Sequence, residues 1–69
     1  MDVNELNRLQ NYFREKFGLT TFTVRGRPKK DDSAEVYFGD EFVGVIFRDD
    51  EDGDLCYQFN MAILDEDLS

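Results

Sequence analysis

Sixty-nine residues with one cysteine, Cys56, and no histidine leave room for a single domain spanning residues 1–69. They exclude two staples that small proteins commonly use, an internal disulfide and a His/Cys zinc site. The formal charge of −8 is unevenly spread: residues 1–30 carry seven Lys/Arg against three Asp/Glu, and residues 31–69 carry one Arg against thirteen acids.

The first element is a helix over residues 3–17. Leu6, Leu9, Phe13 and Phe17 recur at helical spacing, and Met1 and Val3 extend the stripe. Asp2 followed by Glu5 fits a capping box, Gly18 stands where a left-handed C-cap belongs, and Arg14 and Lys16 suit the dipole of the last turns. A first strand follows over residues 20–25, with Phe22 and Val24 on one face; Gly26, Pro28 and the charged run 29–32 are expected to end it.

In residues 34–38, Ala34, Val36 and Phe38 alternate with Glu35 and Tyr37, which predicts a second strand. Gly39-Asp40 makes a two-residue turn into a third strand over residues 42–47. After a polar turn at 49–54, Leu55, Tyr57, Phe59, Met61 and Ile63 alternate with Cys56, Gln58, Asn60 and Ala62 and predict the fourth. Residues 62–68 fit either an extension of that strand or a short helix. The order of elements gives an α+β fold, an N-terminal helix packed on a four-stranded antiparallel meander sheet.

Turn lengths set an expected register. The Gly39-Asp40 turn places Val36 opposite Val43. A three-residue turn at 51–53, with Gly53 left-handed, places Phe47 opposite Tyr57 and Val45 opposite Phe59. The core face is then Phe22, Val24, Ala34, Val36, Phe38, Val43, Val45, Phe47, Tyr57, Phe59 and Met61. The other face carries Tyr37, Phe42 and Ile46, with Gly44 leaving a flat spot between the last two. An open sheet face should be polar, so these four residues are the expected interface, most simply of a homodimer. Two alternatives stand beside it: residues 62–68 fold over the stripe, or a slipped register carries Phe42 and Ile46 into the core.

The runs RPKKDDSAEVYFGDEFVGV and FRDDEDGDLCYQFNMAILD resemble a family of short bacterial proteins that carries no established activity. The resemblance implies a stand-alone bacterial protein and assigns no functional residue.

Three further features invite chemistry. Residues 49–54 suggest a calcium loop, but with Gly53 at the loop's sixth position the first and twelfth ligand positions fall on Arg48 and Phe59, so a polar hairpin turn is expected instead. Arg25, Arg27, Lys29 and Lys30 cluster around Pro28, as an anion or nucleic-acid contact would. Yet Asp31 and Asp32 follow at once, and no aromatic residue is interleaved for base stacking. Cys56 has no histidine to activate it and is expected to be a packed or bystander thiol. One helix on a small sheet leaves little room for a ligand cavity of about 300 Å³, so an enzyme is not expected, and no cofactor or metal is. No run of about 20 apolar residues is present to span a membrane, and a lone thiol without an export signal suggests the cytoplasm. The leading expectation is a small cytoplasmic interaction module that self-associates or docks to a partner through its sheet. The alternative is a nucleic-acid-associated protein using the basic segment.

Overall fold

The structure is a computed structural model that describes residues 1–51 and 53–68. Helix α1 runs Val3–Phe17 between the caps the sequence supplies. The Glu5 amide donates to Asp2 Oδ1 (2.8 Å), and Gly18 closes the helix at φ 67°, its N–H donating to the Arg14 carbonyl. A residue with a Cβ would be strained there.

Strands β1 (Phe22–Arg27), β2 (Lys30–Phe38), β3 (Glu41–Asp49) and β4 (Cys56–Met61) form one antiparallel sheet in the order β1-β2-β3-β4, and a 3₁₀ turn covers Asp65–Leu68. The α+β meander is therefore as expected, and residues 62–68 take the short-helix alternative. β2 starts earlier than its apolar pattern suggests. Lys30, Asp31 and Asp32 do not end the first hairpin but belong to it, Arg27 pairing with Lys30 across Pro28-Lys29.

The helix lies over the β1 side of the sheet and fastens to that strand's outer edge. Arg14 Nε donates to the Phe22 carbonyl (2.9 Å), and the Val24 amide donates to Gln10 Oε1 (3.1 Å). Phe13 is the centre of the core. Its ring lies 5.2 Å from Phe59, 5.8 Å from Phe22 and 5.8 Å from Phe17, and it is buried with Val24, Ala34, Val36 and Ile46.

The register departs from expectation along β3. Phe38 faces Glu41 and Tyr37 faces Phe42, as the Gly39-Asp40 turn requires, but Val36 then faces Gly44, so Val43 is the extra residue of a bulge. A bulge turns every residue beyond it to the opposite face. Ile46 and Gly44 therefore join the core face, and Val45 and Phe47 leave it. The second connection is also longer than three residues. Asp49 pairs with Cys56, Arg48 with Tyr57 and Ile46 with Phe59. Gly53 is left-handed (φ 84°), while Asp52 of that turn lies outside the described residues. The two one-residue shifts cancel at β4, so Tyr57, Phe59 and Met61 keep their expected face.

Gly44 is not an open flat spot. A Cβ there would meet the Asn60 carbonyl and would lie 2.6 Å from Phe59 Cε1. The missing side chain lets the Phe59 ring lie across β3 and reach Phe13.

Candidate functional site

Of the four residues of the expected interface, the structure keeps two on the helix-free face. Tyr37 and Phe42 are cross-strand partners with rings 5.7 Å apart and nearly perpendicular, and Phe42 is 51% exposed. Gly44 and Ile46 are buried on the other side. Val45 and Phe47 take their place, Phe47 being 40% exposed. The apolar stripe on the open face is thus Tyr37, Phe42, Val45 and Phe47. It borders an open groove of about 780 Å³ whose far wall includes Leu64 and Asp67. The 62–68 segment therefore lies beside the stripe and leaves it half exposed.

The basic cluster is divided by the hairpin. The Arg25 guanidinium sits 4.0 Å above the centre of the Tyr37 ring, while the Tyr37 hydroxyl donates to Glu35 Oε1 (3.2 Å). Arg27 Nη1 donates to the buried Ser33 hydroxyl (3.1 Å). Lys29 occupies the turn and Lys30 opens β2, both exposed. Sheet pairing thus brings an aromatic residue under Arg25 that the linear sequence keeps twelve positions away, and the cation covers the ring face on which a base would stack. Cys56 is exposed rather than packed, with Gln58 Nε2 3.7 Å from its Sγ.

A second groove lies on the helix side, where sequence reasoning expects incomplete cover of the core face but names no groove residues. One helix about 10 Å wide cannot cover four strands spaced about 4.8 Å apart. With α1 fastened to the β1 edge, the β4 side of the core face stays partly open, Phe59 being 37% and Met61 52% exposed. The groove between α1 and β4 has a volume of about 570 Å³. Leu9, Phe13, Ile46 and Phe59 form its floor, and Arg8, Tyr12 and Lys16 its rim. It exceeds the cavity size expected for so small a sheet.

Glu5 closes one end of this groove. The capping-box pattern calls for its carboxylate to turn back to the Asp2 amide. Instead Glu5 Oε2 accepts from the Tyr57 hydroxyl at 2.6 Å, and Arg48 Nη1 lies 2.9 Å from Oε1 and 3.1 Å from Oε2. The Tyr57 hydrogen bond holds the Glu5 carboxyl below its usual range; burial opposes this and Arg48 reinforces it. The same bond, with burial, pushes the Tyr57 phenol up. The cluster ties the first turn of α1 to β3 and β4, 43 and 52 residues away. Its sequence signal is a charged Arg48 on the apolar side of β3, which becomes visible once the bulge is known. Among the described residues, no group of three or more His, Cys, Asp or Glu side chains is placed to hold a metal ion, and no helix is long and apolar enough to cross a membrane.

These features define a class, a small α+β domain whose single helix covers half of an antiparallel meander. Within that class the chain belongs to the family described as "Protein of unknown function (DUF3126)", which matches residues 5–67 and so takes in both apolar surfaces. No curated protein and no solved structure matches it.

Proposed function

We propose that this domain is a small cytoplasmic interaction module that self-associates through the β3–β4 half of its sheet. The observation that carries this reading is the amount of surface. A folded monomer of 8.1 kDa is expected to expose about 4,500 Å², whereas this chain exposes 5375 Å². The excess, about 900 Å², matches the roughly 800 Å² that one partner contributes to an interface of standard size. The radius of gyration, 12.7 Å, likewise exceeds the ~11 Å of a compact chain of this length. In this half, exposed apolar side chains stand on both faces: Phe42 and Phe47 on one, Phe59 and Met61 on the other. Patches of this kind mark contacts.

A nucleic-acid role through Arg25, Arg27, Lys29 and Lys30 has less support. Thirteen acids lie in residues 31–69, and a domain of this charge is repelled by a polyanion.

Sedimentation of the wild type at about 100 μM, well above typical specific dissociation constants, tests self-association. An assembly larger than a monomer, lost in Phe42→Glu or Phe59→Glu and kept in Thr23→Glu on β1, is the expected result. A wild type that stays monomeric overturns it.

A further inference from the structure

The helix-side groove and the 62–68 segment are complementary in both charge and polarity. Arg8 and Lys16 stand on the groove's rim, eight residues and therefore about 12 Å apart along α1, with Tyr12 between them. Neither takes part in the Arg48–Glu5 ion pair, the one salt bridge among the described residues. The floor beneath them is apolar. The 62–68 segment carries the opposite pattern: Asp65, Glu66 and Asp67 are bracketed by Ile63, Leu64 and Leu68, which are 54–74% exposed.

The Asp67 amide donates to the Leu64 carbonyl (2.9 Å), and the Leu64 amide donates to Asp67 Oδ2 (3.0 Å). Drawn out, residues 63–68 span about 17 Å, enough to pass both cations with an apolar residue at each end. The chain's own groove is a poor destination. Ala62, Ile63 and Leu64 include none of the residues that favour a tight reversal, and Leu64 and Asp67 border Phe42 and Val45, away from the helix-side groove.

We propose that the 62–68 segment of a second copy occupies the groove between α1 and β4. Leu64 and Leu68 settle on the floor of Leu9, Phe13, Ile46 and Phe59, and the Asp65 and Asp67 carboxylates, which an extended chain turns to its other side, face Arg8 and Lys16. Reciprocal exchange closes the pair about a two-fold axis and leaves no open groove for a third copy. This rests on the self-association reading above and gives it an occupant.

Charge exchange on the full chain, followed by sedimentation equilibrium, tests the proposal. Arg8→Glu/Lys16→Glu makes the groove's rim acidic, and Asp65→Lys/Asp67→Lys makes the segment basic. All four positions are exposed, so both variants are expected to fold, which circular dichroism checks. Each alone should weaken dimerisation about tenfold or more. An equimolar mixture of the two should recover it, because each groove then meets a segment of opposite charge; so should the chain carrying all four substitutions. Variants that dimerise as tightly as wild type, or a mixture no tighter than its components, overturn the proposal and leave self-association standing on another surface. A wild type that is monomeric throughout overturns both.

Discussion

The two halves of the sheet are built from similar residues and end in opposite situations. β1 and β4 are both edge strands, and each carries aromatic side chains toward the helix side. β1 has its edge groups engaged by Gln10 and Arg14, bears Arg25 and Arg27, and ends in a bulge before Pro28, all features that protect an edge from other chains. β4, CYQFNM, holds no charge and no proline, and its Phe59 and Met61 stay 37% and 52% exposed. The difference traces to one choice, where the single helix is anchored. Its caps and apolar stripe make a helix anywhere, but Arg14 and Gln10 bind it to β1 and leave the other half bare. A domain with this asymmetry keeps most of its buried core in one half and leaves more of the other exposed.

The largest expected effect comes from breaking the covered half. Phe13 is buried against Phe17, Phe22 and Phe59, so Phe13→Ala should cost about 3–5 kcal/mol, much of the total expected for 69 residues. Chemical denaturation of wild type and variant measures this. An unchanged midpoint would show that the helix is not held through Phe13.

The bulge at Val43 permits a sharper comparison of neighbours. Ile46 is 1% exposed, so Ile46→Ala should cost about 2–5 kcal/mol. Phe47, one residue on and pointing to the bare face, should cost about 1 kcal/mol or less when truncated to Ala in dilute, monomeric protein. The register expected from turn lengths alone predicts the reverse order. Denaturation of the two variants side by side decides between them, and a larger loss at Phe47 would reject the bulge.

Residue patterns display most of this fold. Helix limits could be read because caps are local: Asp2 and Gly18 each act within one turn. Strand existence was legible from alternation, and the first β-turn from Gly39-Asp40. What was hidden is the face of β3. Residues 42–47 are apolar on both sides, so alternation is silent there, and the one hint is Gly44, since a glycine inside a strand often marks a bulge or a close backbone approach. The expected interface inherited that silence. Tyr37 and Phe42, which lie before the bulge, share the helix-free face, while Gly44 and Ile46, which lie after it, turn to the core. The helix-side groove was hidden for a different reason. It depends on the lateral position of α1, held by two hydrogen bonds to β1, one accepted by Gln10 and one donated by Arg14, that no spacing rule reveals.

The smallest expected effect concerns the clamp that joins the covered helix to the bare half. The Tyr57 hydroxyl donates to Glu5 at 2.6 Å, and Tyr57→Phe removes that bond with little change in packing. In a partly exposed setting it should cost about 1 kcal/mol at neutral pH. Its pH dependence follows from the two pKa shifts. The Glu5 carboxyl lies lower in the folded than in the unfolded chain, so its contribution is complete above the unfolded value of about 4.3 and fades as pH falls through the folded one. The Tyr57 phenol lies higher when folded, so its contribution is complete below the unfolded value of about 10 and fades as pH rises through the folded one. The difference in stability between wild type and Tyr57→Phe should therefore form a plateau between these limits and narrow beyond both. Denaturation at pH 3, 7 and 10.5 reads it directly. A difference that is the same at pH 3 and pH 7 would mean that the bond does not depend on the Glu5 charge. α1 would then be held at its first turn by packing rather than by the carboxylate.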